Sequence, residues 1–171
     1  MKNIIFIGMP AAGKSTIGVV VAKRLGYNFI DTDLLIQQSE GKLLSEIIAE
    51  KGLDEFVKIE DRVNAQVEAE RSVISPGGSV VYCENAMRHY KEIGIVVYLK
   101  VSFETISKRI GDAKKRGVVL KENQTLEDLY RERTALFEKY ADITISSDEM
   151  ELADTIDKVQ DILNEYLIVT E

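Results

Sequence analysis

The chain has 171 residues and a net charge of −7, with a single cysteine, Cys83. This length suits one domain, and an acidic surface repels polyphosphate chains and anionic lipid, so we expect no nucleic-acid or membrane partner. One cysteine cannot form an intrachain disulfide, no run of about 18 apolar residues is present, and the apolar start is interrupted at once by Gly8 and Pro10. We therefore expect a soluble, cytoplasmic monomer.

Short apolar runs alternate with helical patterns along the sequence. Strands are predicted at residues 3–7, 27–30, 72–75, 95–99 and 143–145. Helices are predicted at 14–25, about 33–39, 43–51, 53–70, 84–92, 102–110, 125–140 and about 149–166, and a mobile loop at 111–124. This alternation predicts one α/β domain over residues 1–171, with a parallel sheet between helices and ligands beyond the carboxyl ends of the strands.

The first predicted strand runs into the motif Gly8-Met9-Pro10-Ala11-Ala12-Gly13-Lys14-Ser15-Thr16, which fits the phosphate-binding pattern G-x-x-x-x-G-K-[ST]. Its two glycines let the backbone turn and approach a ligand, and its N–H groups form an anion site with the helix that follows. Lys14 is expected to reach the β- and γ-phosphates, and the Ser15 hydroxyl to bind Mg²⁺. The alternative is a glycine-rich turn that binds nothing. The prediction is a site for ATP and Mg²⁺, with phosphate contacts from Gly8, Ala11, Ala12, Gly13, Lys14, Ser15 and Thr16.

Three further groups follow the ends of other predicted strands. Asp31 and Asp33 can hold Mg²⁺ or accept a proton from a substrate hydroxyl, the alternative being ordinary helix capping. Gly77-Gly78 offers close backbone approach to a substrate, or is an ordinary turn. The basic run Lys114-Lys115-Arg116, with Arg109 seven residues before Arg116, fits a lid closing over a transferred phosphoryl group, or a solvated surface. All of these groups are expected to face one crevice.

Together these motifs resemble the shikimate kinase family, within the nucleoside-monophosphate-kinase-like group, over nearly the whole chain. The resembling segments are Gly8–Thr16, Asp31 with Asp33, Phe56-Val57-Lys58-Ile59-Glu60, Pro76-Gly77-Gly78, Arg109, Arg116-Gly117-Val118-Val119-Leu120 and Leu129-Tyr130-Arg131-Glu132-Arg133. The resemblance implies a P-loop kinase fold of three α/β/α layers, with a five-stranded parallel sheet in the order 2-3-1-4-5. It also implies an acceptor-binding subregion at about 32–70 and a lid at about 111–124.

The resemblance further implies a reaction, the ATP- and Mg²⁺-dependent phosphorylation of the 3-hydroxyl of shikimate. Arg109 then lies beside the adenine, and Arg133, which by itself would be interpreted as a surface salt-bridge residue, grips the substrate carboxylate. The implied catalytic residues are Lys14, Asp33 and Arg116, the implied acceptor-binding residues are Asp33, Gly77, Gly78 and Arg133, and the implied metal-binding residues are Ser15 and Asp31.

The acceptor half departs from the family pattern. Val57 stands where the family has a second carboxylate-binding arginine, Pro76 replaces the first glycine of a triplet, and Gly117 replaces the lid proline. Loss of one bidentate arginine costs roughly 30- to 150-fold in affinity, unless a neighbour such as Lys58 compensates. Three interpretations stay open at this point: a shikimate kinase, a kinase of another small hydroxylated metabolite, and a non-catalytic nucleotide-binding or regulatory protein.

Overall fold

A computed structural model describes residues 2–111, 118, 120–148 and 150–169, without the side chains of 167–169. The described residues form the strands β1 Asn3–Ile7, β2 Asn28–Asp31, β3 Ser72–Ser75, β4 Gly94–Lys100 and β5 Ile143–Ser146. Neighbouring strands pair in parallel in the order β2-β3-β1-β4-β5. The predicted parallel sheet and its strand order are confirmed.

Helices connect these strands, as parallel pairing requires. They are α1 Lys14–Leu25, α2 Thr32–Glu40, α3 Leu44–Lys51, α4 Leu53–Ala65, α5 Glu84–Ile93, α6 Phe103–Ile110, α7 Leu126–Tyr140 and α8 Leu152–Val169, with a 3₁₀ turn at Val80–Tyr82. Most predicted boundaries lie within one or two residues of these. Within the described part of the chain, none of these helices has the length and apolarity needed to span a bilayer.

Helix α4 ends at residue 65, whereas the sequence pattern predicts a helix to residue 70. The Asn64 side chain donates to the carbonyl of Glu60 at 2.7 Å and accepts from the Tyr90 hydroxyl at 2.5 Å, which fixes the last turn of α4 against α5. Beyond it, Val67 is buried in the main core and its carbonyl contacts the His89 ring at 2.8 Å. The apolar residue that extended the predicted stripe therefore packs through a tertiary contact outside the helix.

The sheet separates two apolar cores, as its alternating side chains require. Ile4 and Phe6 of β1 pack with α1 and α8, and Ile5 and Ile7 pack with α5, α6 and α7. The central strands β1 and β3 are buried along their whole length. This arrangement confirms the predicted α/β/α layers. A third, smaller core joins α2, α3 and α4 through Ile36, Ile47, Phe56 and Ile59.

A buried asparagine closes the end of the sheet where β1, β3 and β4 begin. The Asn3 side chain donates to the carbonyls of Ala69 and Ile93 at 2.7 and 3.1 Å, and accepts from the Ser72 backbone N–H at 3.0 Å. These bonds satisfy the buried polar groups of Asn3 and Ser72 and two partly buried carbonyls. The opposite end of the sheet is left open.

Candidate active site

A cavity of about 670 Å³ opens beyond the carboxyl ends of β1, β2 and β3. Strand β1 leads into the P-loop, β2 into the aspartates and β3 into the glycine pair, so the topology brings three of the predicted groups together. The polar residues of its lining include Lys14, Ser15, Asp31, Asp33, Glu60 and Arg133, and the apolar ones include Leu44, Ile48, Leu53 and Phe56.

The P-loop backbone adopts the conformations for which its glycines were predicted. Gly8 has φ +154°, and a Cβ at this position would lie 2.8 Å from the carbonyl oxygen of Leu99 on β4. Gly13, the residue before α1, is left-handed with φ +94°. Ala11 also has a positive φ of 64°, and the Ala12 N–H donates to the Met9 carbonyl at 3.2 Å. The loop therefore turns tightly and delivers the first N–H groups of α1 to the cavity.

Lys14 is buried within the turn of the P-loop. Its Nζ donates to the carbonyls of Gly8 and Met9, each at 3.0 Å. Burial lowers the pKa of Lys14 to about 8; the negative charge of Asp33 opposes this shift and the positive charge of Arg133 adds to it. At neutral pH the ammonium stays mostly charged, as phosphate binding requires.

Ser15, Asp31 and Ser75 bring oxygen atoms together at the first turn of α1. The Ser15 hydroxyl lies 3.3 Å from Asp31 Oδ2 and 3.2 Å from the Ser75 hydroxyl. Asp31 Oδ1 accepts from the backbone N–H of Asp33 at 3.0 Å, so Asp31 caps α2 with one oxygen and faces Ser15 with the other. Thr16 is exposed beside them. Among the described residues no group of three or more His, Cys, Asp or Glu side chains is placed to hold a metal ion. Two hydroxyls and one carboxylate are hard oxygen donors that fit Mg²⁺, which binds few carboxylates and completes its shell with water and phosphate.

Asp33 lies in the first turn of α2 and lines the cavity. Burial, and to a smaller extent the charge of Asp31, raise the pKa of the Asp33 carboxyl, while Lys14 opposes the shift. Gly77 lies against it: a Cβ on Gly77 would stand 3.1 Å from Asp33 Oδ1 and 2.8 Å from Glu60 Oε1. The backbone of Gly77 therefore approaches two carboxyl groups so closely that a larger residue would displace at least one of them.

Glu60 is a site residue to which the sequence reasoning assigned no role. Its side chain is completely buried, Oε2 accepts from the Ser79 hydroxyl at 2.5 Å, and Oε1 has no hydrogen-bond partner among the described residues. Burial raises the pKa of Glu60 to about 7, with a further contribution from Asp33, although the Ser79 hydrogen bond acts in the opposite direction. The available signal was a carboxylate next to the apolar stripe of Phe56 and Ile59 on α4.

Arg133 of α7 is 7% exposed and reaches the cavity. A Cβ on Gly78 would lie 3.1 Å from Arg133 Nη1 and 2.9 Å from Pro10 Cδ, so the guanidinium lies at the level of the glycine pair. Its Nε atom is buried without a hydrogen-bond partner, and no ion pair joins Arg133 to another described residue. The interpretation as a surface salt-bridge residue is wrong, because this cation is buried and faces the cavity.

Neither Val57 nor Lys58 lines this cavity. Val57 packs against the main core, and its carbonyl accepts from the Cys83 thiol at 3.5 Å. Lys58 points to solvent, with 74% of its side chain exposed, and pairs with Glu55 at 3.1 Å. Lys58 therefore does not replace the missing arginine, and within the described residues the cations of the cavity wall are Lys14 and Arg133.

Arg109 of α6 reaches the outer side of the P-loop, where Nη1 donates to the Ala11 carbonyl at 3.3 Å. Val118 lines the cavity and is buried. The rest of the predicted lid cannot be placed, because Lys114, Lys115, Arg116, Gly117 and Val119 lie outside the described residues. The role of Arg116 stays a prediction.

Comparisons with known proteins agree on one family. The family model described as "Shikimate kinase" matches residues 10–164. A shikimate kinase from Clostridium botulinum (strain 657 / Type Ba4) is 38% identical over 160 residues, covering 91% of this chain and 94% of the relative. One from Haemophilus influenzae (strain PittEE) is 35% identical over 167 residues, covering 95% and 93%. The solved structure of a shikimate kinase from Acinetobacter baumannii in complex with shikimate is 29% identical, has a TM-score of 0.85, and covers 97% of this chain and 94% of that one.

Proposed function

Because the chain belongs to the shikimate kinase family, we propose that it transfers the γ-phosphoryl group of ATP to the 3-hydroxyl of shikimate. The observation that carries the proposal is that Lys14 of the P-loop, Asp33 and the unpaired Arg133 line one cavity. A phosphate-binding cation, a proton acceptor and an anion-binding group are the parts that such a transfer needs.

In the proposed reaction the acceptor oxygen attacks the γ-phosphorus, the bond from that phosphorus to the β,γ-bridging oxygen breaks, and ADP leaves with the electron pair. Asp33 takes the proton of the acceptor hydroxyl, and its raised pKa makes it a better base than an exposed aspartate. Lys14 and the P-loop N–H groups hold the phosphate oxygens, and Arg116 is assigned to the charge that develops on them. Ser15 and Asp31 would hold Mg²⁺, which supplies further neutralisation of phosphate charge.

Recognition of the acceptor is assigned to three sides of the cavity. Arg133 binds its carboxylate, the backbone of Gly77-Gly78 lies alongside its hydroxyls, and Phe56 with the neighbouring apolar wall covers its ring carbons. Val57 leaves this carboxylate with one described arginine. Shikimate is therefore expected to bind more weakly than in a site with two.

The proposal is tested by ATP-dependent ADP release with shikimate and with a panel of other hydroxy acids, sugars and nucleosides. Lys14→Ala and Asp33→Asn should each reduce turnover at least about a hundredfold. Lys58→Ala is the matched control, because this exposed lysine lies outside the cavity, and it should leave turnover unchanged. Failure of every acceptor to raise ADP release above the water background would overturn the proposal, and tight nucleotide binding without transfer would instead favour a regulatory protein.

Val57 favours one second candidate, a kinase for a small hydroxylated metabolite that carries no carboxylate. On α4, positions 57 and 60 are neighbours, so an arginine introduced at 57 would lie next to Glu60, whose free oxygen belongs to the cavity lining. A large drop in the KM for shikimate in Val57→Arg would show that the enzyme lacks only this contact. An unchanged KM, together with faster turnover of an uncharged acceptor, would favour the second candidate.

We also propose that the enzyme is a single-domain, cytoplasmic monomer. The supply of ATP and the unpaired thiol of Cys83 support this location. Large apolar side chains that are exposed among the described residues are few, which supports a monomer: Val19, Leu34, Leu43 and Leu152. Size-exclusion chromatography with light scattering tests the oligomeric state.

A further inference from the structure

Tyr82 lies next to the candidate site without lining the cavity. It ends the 3₁₀ turn that follows the glycine pair, and its ring faces the Arg133 guanidinium, with Cζ 5.5 Å from the ring centroid. The face of an aromatic ring attracts a cation at this distance. Tyr82 therefore contacts a buried cation of the cavity wall that has no ion-pair partner among the described residues.

The ring is fixed from its other end as well. The Tyr82 hydroxyl donates to Glu132 Oε1 at 2.5 Å, and Glu132 precedes Arg133 on α7. Burial, followed by this hydrogen bond, raises the pKa of Tyr82, while a hydrogen bond from Arg133 and its positive charge oppose the shift, so the phenol stays neutral. One side chain of the 3₁₀ turn after the glycine pair thus contacts two consecutive residues of α7.

Arg133 needs such support because few other polar contacts hold its guanidinium in place. Its Nε has no hydrogen-bond partner, and its Nη1 lies beside Gly78 and Pro10, neither of which has a polar side chain to hold it. A long arginine without a fixed partner loses rotamer freedom each time it binds an anion. A ring that holds the guanidinium beforehand reduces that cost.

We propose that Tyr82 is a positioning residue of the acceptor site: its ring holds the Arg133 guanidinium at the level of Gly78 and so sets the affinity for the anionic group of the acceptor. This inference rests on the proposed function, because Arg133 must bind the acceptor for its position to matter. Because Val57 replaces the second arginine of the family pattern, the affinity for the anionic group then depends on how well Tyr82 orders Arg133, the single arginine that lines the cavity among the described residues.

The test compares Tyr82→Leu, which removes the ring, with Tyr82→Phe, which keeps the ring and loses the hydroxyl. Tyr82→Leu should raise the KM for shikimate about 5- to 30-fold, with kcat and the KM for ATP within about twofold of the parent. Tyr82→Phe should recover most of that loss. Tyr27→Leu is the matched control, since it removes a similar contact, Arg71 over Tyr27 at 5.8 Å, from the beginning of β2, at the far end of the sheet.

The decisive measurement repeats Tyr82→Leu in an Arg133→Ala background. If Tyr82 acts through Arg133, its loss should then change kcat/KM for shikimate by less than about twofold. An equal loss in both backgrounds, or a matching rise in the KM for ATP, would show a general packing role and overturn the inference. Absence of turnover in the parent enzyme would instead count against the proposed function, so the two failures are distinguishable.

Discussion

Replacement of Glu60 by glutamine should change how the stability of the protein depends on pH. Glu60 has an ordinary pKa of 4.5 in the unfolded chain, and burial raises it to about 7 in the folded protein. Between these values the folded state binds a proton that the unfolded state has released. The stability contributed by this proton is therefore fully present below pH 4.5 and is lost as the pH rises through 7.

The magnitude follows from the size of the shift. The difference of 7 − 4.5 = 2.5 pKa units, at about 1.4 kcal/mol each, corresponds to a total of about 3 to 4 kcal/mol, most of it lost between pH 5 and pH 8. Glutamine has nearly the same shape, can still accept from Ser79, and carries no charge. Glu60→Gln should therefore gain about 2 to 3 kcal/mol of unfolding free energy relative to the parent between pH 5 and pH 8.

Urea unfolding of both proteins at pH 5, 6, 7 and 8 measures this difference. Glu55→Gln is the control on the same helix, because its carboxylate lies at the surface in a pair with Lys58, and its pH profile should follow the parent. Parallel profiles for Glu60→Gln and the parent would refute the reasoning, since they would mean that the buried carboxyl does not carry the proton.

Three further predictions concern other parts of the molecule. Gly77→Ala should raise the KM for shikimate and lower the unfolding free energy by about 1 to 3 kcal/mol, because its Cβ would stand 2.8 Å from Glu60 Oε1; an unchanged KM would contradict this. Arg109→Ala should raise the KM for ATP about 5- to 30-fold and leave that for shikimate unaltered, and a change confined to shikimate would show that the residue serves the other half of the site. Asn3→Ala should reduce stability by about 2 to 4 kcal/mol in urea unfolding, because it leaves buried backbone groups unpaired, with kcat unchanged well below the melting temperature; a loss of kcat would show that the far end of the sheet communicates with the site.

Local signals were sufficient for the parts of the fold that depend on neighbouring residues. The P-loop pattern, the apolar strands and the predicted end of the first helix at residue 25 each depend on a few consecutive residues. The residue after that helix, Gly26, is left-handed with φ 67°. For Asp31 the sequence left open a helix cap or a metal-site residue, and the structure is compatible with both, since one oxygen caps α2 and the other faces Ser15. The strand order came from the family resemblance, and the observed sheet confirms it. Short, right-handed connections leave few alternative orders for such a sheet.

Contacts between distant residues explain what the sequence could not provide. The end of α4 depends on Asn64 and Tyr90, which are 26 positions apart and meet only after α5 has packed. The burial of Arg133 depends on the glycine pair and on Tyr82 in another segment, so its own helix gave no sign of it. The direction of Lys58 toward solvent likewise follows from the packing of α4. Spacing alone had left open that Lys58 replaces the arginine absent at Val57, and its exposure excludes this.

The hydrogen bonds of Asn3 lie at the end of the sheet opposite the candidate active site, so one end of the sheet stabilises the fold and the other carries the site. They hold three strands at the rim remote from the cavity, where no described residue takes part in the proposed chemistry. Substitutions around the cavity, such as Val57 and Pro76, can therefore alter acceptor binding while this rim keeps the sheet assembled. The same separation makes the rim a suitable place to attach a reporter or a solid support without disturbing turnover.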